Sequence, residues 1–95
     1  MAAYLIAHVD VTDPQLYEEY RLKVPGVVAA YGGRYLVRGG PQARLEGDGV
    51  LARLAVLEFP SMAQLRAWYE SAEYRPLIAL RQRSARSTLY AFEGA

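Results

Sequence analysis

The patterns along this chain predict an α+β fold, in the order strand, helix, strand, strand, helix, strand. Three observations carry that expectation. The stretch "YLIAHVDV", residues 4–11, alternates, with Tyr4, Ile6, His8 and Asp10 on one face and Leu5, Ala7, Val9 and Val11 on the other. "TDPQLYEEY" then opens a helix, with Asp13 suited to the N-cap and Pro14 to the first helical position, where a missing N–H costs nothing. Finally, "YGGRYLVRGG", residues 31–40, sets a short apolar segment between two glycine pairs, the punctuation expected between helix, strand and loop.

Taken in order, the first strand holds apolar residues on both faces, so both are expected to be covered. In the first helix Leu16, Tyr17, Tyr20, Val24, Val27, Val28 and Tyr31 recur at helical spacing. Pro25-Gly26 is expected to kink or break it, because proline removes a backbone donor and clashes with the preceding turn. Gly32 or Gly33 can adopt the left-handed conformation that ends a helix. "RYLVR" is the second strand, stopped by Gly39-Gly40 and Pro41. A backbone left bare for a ligand is the rival reading of these glycines. Neither GxGxxG nor a following Lys-Ser/Thr supports a phosphate loop.

"PQARLEGDG" is a loop with a turn at 47–49, and "VLARLAVLEF", residues 50–59, is the third strand, stopped by Pro60. Ser61 with Gln64 forms a capping-box pattern, and Leu65, Trp68, Tyr69 and Ala72 make the helix's apolar stripe. "SAEYRPLIALRQR" reads as a further helical segment bent near Pro76, with Tyr74, Leu77, Ile78 and Leu80 apolar. "STLYAFE" is the last strand.

Right-handed crossovers turn this β-α-β-β-α-β order into a ferredoxin-like domain spanning 1–95, with a four-stranded antiparallel sheet in the order 4-1-3-2. Its helices cover one sheet face. The other face still carries apolar side chains, and a second copy of the same sheet is the natural cover, so a homodimer is expected.

Composition narrows the function classes. The 95 residues are 53% hydrophobic, enough for a core, and include no cysteine. A disulfide framework, a thiolate nucleophile and a zinc–cysteine site are thereby excluded. A net charge of +1 gives little basis for nucleic-acid binding. The single "RGG" is not part of a repeating low-complexity tract. Arg75, Arg81, Arg83 and Arg86 read as a solvated helix face. Apolar runs are too short to cross a bilayer and the first residues lack a basic leader, so a cytoplasmic protein is expected.

The series "YGGRYLVRGG", "LEGD", "LEFPS", "AWYESAEYRPL" and "AFEG" resembles the bacterial domain of unknown function 1330 family, within the dimeric α+β barrel superfamily. The resemblance covers nearly the whole chain. It implies a ferredoxin-like subunit in a barrel-forming dimer and no particular reaction. Relatives in the wider superfamily include cofactor-free monooxygenases, haem-degrading enzymes, isomerases and simple binding proteins.

The residues offer several candidates. His8, the sole histidine, sits on one strand face with Asp10 and is a candidate general acid/base, with Glu58 a second candidate from the neighbouring strand. Hydrogen bonding alone is the plain alternative. His8, Asp10 and Glu58 are too few to make a convincing metal site, and no metal or other cofactor is expected. Arg38 ends a strand before two glycines, at the mouth of any pocket beneath the loop, where a guanidinium can hold a carboxylate or enolate. Arg34 falls on its face by parity. An ion pair of Arg38 with Glu58 or Glu46 is the structural alternative. Trp68, Tyr69 and Tyr31 are either core or the aromatic walls of a ligand site.

The functional expectation is a pocket between sheet and helices for a small aromatic or anionic molecule. A cofactor-free monooxygenase or isomerase, or a structural dimer without turnover, is the alternative. Convergence of Arg38, Glu58 and His8 on one cavity would favour the enzyme or binder.

Overall fold

The computed structural model describes residues 1–49 and 52–95. Its elements run β1 (Ala3–Val11), α1 (Pro14–Ala30), β2 (Arg34–Arg38), β3 (Arg53–Phe59), α2 (Met62–Tyr69), α3 (Arg75–Ser84) and β4 (Ala85–Glu93). The four strands form one antiparallel sheet, ordered β2-β3-β1-β4, which is 4-1-3-2 read from the β4 edge. Val50 and Leu51, expected to open the third strand, lie outside the described residues.

Register assigns the two faces. Ala3, Leu5, Ala7 and Val9 are buried against the helices, beside Phe59, Leu57, Ala55 and Arg53 of β3. Tyr4, Ile6 and His8 point the other way, level with Glu58, Val56 and Leu54 on one side and Phe92, Tyr90 and Thr88 on the other. Tyr90 and Phe92 there are about half exposed, at 52% and 53%. On the helix side Trp68 stacks on Tyr74 with ring centroids 4.2 Å apart, and Phe59 packs 5.3 Å from Trp68. These three rings are fully buried and anchor the core.

Capping follows the sequence signals closely. Asp13 accepts the Leu16 N–H at 3.1 Å with Pro14 at the first helical position. Ser61 accepts the Gln64 N–H at 3.2 Å, but the Gln64 side chain donates instead to the Tyr31 carbonyl, at 3.3 Å, tying α2 to the end of α1. At that end the Gly32 N–H reaches the Ala29 carbonyl and the Gly33 N–H the Val28 carbonyl, both at 3.0 Å, a Schellman closure with Gly32 at φ +80°.

Three expectations need correction. First, α1 runs unbroken through Pro25. The missing proline N–H orphans the Arg21 carbonyl one turn back, and the Arg38 Nη2 donates to that carbonyl at 2.6 Å. A side chain from β2 supplies the donor that the helix lacks. Second, the chain after Ser61 forms two helices, and Pro76 lies in the first turn of α3 rather than bending a continuous one. Between them the Ser71 hydroxyl donates to the Trp68 carbonyl at 2.8 Å and accepts the Tyr74 N–H at 3.1 Å. Third, Arg34 and Arg38 do not share a face. Arg34 pairs with Glu58 and Tyr35 with Leu57, but Val37 pairs with Val56 and Arg38 with Ala55. The extra residue, Leu36, makes a bulge, and the parity beyond it reverses.

Two stability measurements follow. A Cβ at Gly33 would stand 2.6 Å from the Phe59 ring and 2.8 Å from Val28 Cγ1, whereas one at Gly26 meets nothing within 4 Å. Gly33→Ala is expected to destabilise by about 1–3 kcal/mol through overpacking, and Gly26→Ala to stabilise by about 0.5–1 kcal/mol, both read from urea unfolding. A double-mutant cycle checks the proline contact. Arg38→Ala is expected to cost about 1 kcal/mol in the native sequence and clearly less beside Pro25→Ala, where residue 25 regains its own N–H; equal costs in both backgrounds would refute the shared role.

Candidate functional site

Between the helix-facing side of the sheet and the helices lies a cavity of about 40 Å³. Leu5, Ala7, Ala55 and Leu57 form its apolar floor on the sheet. α1 contributes Tyr17, Tyr20 and Arg21; β2 contributes Tyr35 and Arg38; β3 contributes Arg53. Trp68, Tyr74 and Arg81 complete the wall from the α2–α3 side.

The charges around this space are all of one sign. Four arginines line it, with no carboxylate and no histidine among the described residues. Arg21 is neutralised locally by Glu18, at 2.6 and 2.9 Å. Arg38 is exposed, donates to the Arg21 carbonyl and lies 4.8 Å from the centroid of Tyr35. Arg53 is half-buried, 5.6 Å from the centroid of Tyr17, and its guanidinium occupies the space beside Gly39 that a Cβ would fill. Gly39 is therefore bare, with φ +66°, for the protein's own arginine.

Arg81 differs from the others. It is 5% exposed, makes no ion pair among the described residues, and its Nε–H has no hydrogen-bond partner in the protein. Trp68 Nε1–H, lining the same cavity, is also buried without a partner. Alongside, the Tyr20 and Tyr74 hydroxyls meet at 2.7 Å. Burial pushes both phenols above the usual tyrosine range, and it pushes Tyr35 up to about 12. Burial alone would lower the Arg81 pKa, but the neighbouring Tyr74 and Tyr20 more than offset that, so the guanidinium stays charged.

The residues singled out from sequence scatter around this space. Trp68 lines it and Arg38 stands at its exposed side. Tyr69 faces a different, wider groove against Tyr90 and Leu89 of β4. The Tyr31 hydroxyl donates to Glu73 at 2.8 Å and does not line the cavity. His8 is exposed on the opposite face of the sheet. Glu58 shares that face, where Arg34 lies 2.7 Å away. The Arg34 guanidinium, then the Tyr4 hydroxyl, hold the Glu58 carboxyl below its usual range. The ion pair with Glu58 is therefore made by Arg34 and not by Arg38. The sheet itself prevents Arg38, Glu58 and His8 from converging.

Arg81, which charge type groups with Arg75, Arg83 and Arg86 as one solvated face, is instead buried. Its spacing held the signal. Tyr74, Leu77, Arg81 and Ser84 follow one another by three, four and three residues, one stripe of a helix, and all four are buried. Among the described residues no three His, Cys, Asp or Glu side chains gather as a metal site, and no helix is long and apolar enough to cross a membrane.

Solved structures share this fold. A protein of unknown function from Rhodopseudomonas palustris superposes with a TM-score of 0.79 at 19% identity, over 99% of this chain and 82% of that one. A dimeric ferredoxin-like protein of unknown function from a Jannaschia species gives 0.74 at 15% identity, over 99% and 100% of the two chains. SnoaB, a cofactor-independent oxygenase from Streptomyces nogalater, gives 0.69 at 11% identity, over 99% and 93%. No curated protein matches the chain in sequence. Residues 2–95 match the model of the domain of unknown function DUF1330, and the chain belongs to that family.

Proposed function

We propose that this protein binds a small organic molecule, aromatic or anionic, in the cavity between sheet and helices, and that it works as a homodimer joined through the open sheet faces. The composition of the cavity carries the first part. Its walls are aromatic, its floor is apolar, and its charged groups are arginines without a lining carboxylate. That combination suits an acidic organic molecule better than a sugar, a cation or a peptide. Trp68 forms part of the wall. Arg38 and Arg53 line the cavity as well, Arg38 from its exposed side.

Binding is favoured over turnover by the chemistry of the same residues. Proton abstraction, as an isomerase or a cofactor-free oxygenase requires, needs a base of suitable pKa beside the substrate. The titratable groups of the lining are tyrosines and arginines, and burial holds Tyr20, Tyr35 and Tyr74 above the usual phenol range. His8 and Glu58 stand on the far side of the sheet. SnoaB is a cofactor-independent oxygenase, but its likeness, at 11% identity, is one of fold.

The open face supports the second part. Ile6, Val56, Tyr90 and Phe92 make a contiguous apolar surface on the side away from the helices, and Leu36 and Val37 extend it at 45% and 41% exposure. A second copy meeting it face to face would bury on the order of 800 Å² per subunit, the size of a stable interface. The Jannaschia relative is dimeric. His8 and the Arg34–Glu58 pair would then lie at the subunit contact.

Each part has its measurement. Trp68 is the single tryptophan and lines the cavity, so its fluorescence reports occupancy. Titration with small aromatic carboxylates and phenols is expected to change that fluorescence saturably. Ala55→Phe, which fills the cavity from the sheet side, is expected to abolish the change; an undiminished response in that variant would move binding elsewhere. For assembly, light scattering at micromolar concentration is expected to give a dimer that Val56→Lys converts to monomer. A wild-type monomer would sink the interface.

A further inference from the structure

We infer that the inner end of the cavity is a carboxylate seat, built from the Arg81 guanidinium and the Trp68 indole N–H. This rests on the ligand-cavity reading above and adds the chemical class of the ligand and the residues that hold its charge.

The argument begins with unmet hydrogen bonds. Nearly all buried polar groups in folded proteins find a partner, so exceptions call for a reason. Among the described residues three buried side-chain atoms lack one: Trp68 Nε1, Arg81 Nε and Ser87 Oγ. The first two line one cavity. An indole N–H only donates, and so does a guanidinium. Two orphan donors in one cavity suit a ligand that accepts. A serine hydroxyl turns to suit either role, so Ser87 carries no such demand.

Charge sharpens the class. A buried guanidinium without a counter-ion costs several kcal/mol, because its desolvation is not offset by an attracting partner. Arg81 is 95% buried, taking its 5% exposure from the whole, and no acidic residue of the cavity compensates it. The ligand therefore supplies a negative charge. A monoanion balances Arg81, the one lining guanidinium that is buried. The planar fork of arginine also matches a carboxylate in two parallel hydrogen bonds.

Size then separates head from body. About 40 Å³ of enclosed space admits a small head group and little more. The remainder of the ligand lies toward the partly exposed Arg53 and exposed Arg38, between the rings of Tyr17 and Tyr35. Aromatic walls there favour a flat body. The class is an aryl or arylalkyl monocarboxylate, with the Tyr20–Tyr74 hydroxyl pair beside the head group to donate a further hydrogen bond.

Benzoate, benzamide and inorganic phosphate, each at matched ionic strength, test the seat on the intact protein. Trp68 fluorescence is read together with the ¹H–¹⁵N signals of Trp68 Nε1–H and Arg81 Nε–H. Benzoate is expected to move both N–H signals saturably, with benzamide at least about tenfold weaker, the worth of one hydrogen bond to a charged group. Arg81→Met is expected to keep the fold and lose the preference for benzoate while retaining the weak benzamide response. If that variant does not fold, the wild-type N–H shifts decide alone. Benzoate and benzamide binding equally, with Arg81 Nε–H unmoved, would overturn the seat and leave the cavity reading standing. Phosphate binding in preference to benzoate would overturn the carboxylate assignment. Silence of Trp68 toward every compound would overturn the cavity reading and the seat together.

Discussion

A side chain on a strand must take one face of the sheet or the other, and here the helices cover only one. That constraint sorts the polar residues of the molecule. On β1, Leu5 and Ala7 close the floor of the cavity, while Ile6 and His8, one residue along each, belong to the opposite surface. The departure from strict alternation at Leu36, a bulge, sends Arg34 to the open face and Arg38 to the helix side. Without it both arginines would join Glu58, and the cavity would lose a cation at its mouth. One inserted residue thus decides which face receives the charge.

The same sorting makes the interior electropositive. Glu18 balances only Arg21, at the surface, and other carboxylates are used elsewhere: Glu58 on Arg34 across the open face and Glu73 on the Tyr31 hydroxyl. Arg81 keeps its charge inside because two phenols stand beside it. Hydroxyls can orient toward a cation, but they do not neutralise it. A fold selected only for packing would gain from methionine or leucine at this point of the stripe, since buried ions are often replaced by apolar residues without loss. The retained guanidinium is therefore better explained by what it meets than by what it stabilises.

The fold was legible to a high degree, and for identifiable reasons. Asp13-Pro14, Ser61 and Gly32 announced helix ends because capping is local chemistry, complete within four or five residues. Alternation in β1 announced a strand with Leu5, Ala7 and Val9 turned to a buried face. The candidate site was much less legible, because its geometry depends on non-local facts. Parity placed Arg34 beside Arg38, and no local pattern marks Leu36 as an extra residue; only pairing with β3 reveals it. Arg81 carried the stripe spacing of Tyr74 and Leu77, yet charge type outweighed position when the arginines were read as a group. Gly39 offered loop punctuation or a backbone left bare for a ligand; its positive φ fits the first, and the group that approaches it is the protein's own Arg53.

Pro25 shows how local and non-local logic meet at the cavity. By propensity alone α1 should bend there, and Tyr17 and Tyr20 would then leave the line of Val24 and Val28. All four instead form one buried stripe, with the two tyrosines lining the cavity. The helix tolerates the proline because Arg38, turned inward by the bulge, reaches the carbonyl that the proline leaves free. That contact also holds the guanidinium beside Tyr35, at the exposed side of the space that Arg81 also lines. The bulge, the proline and the pair of tyrosines are thus parts of one arrangement. Moving any one of them would change both the straightness of α1 and the charge at the cavity mouth.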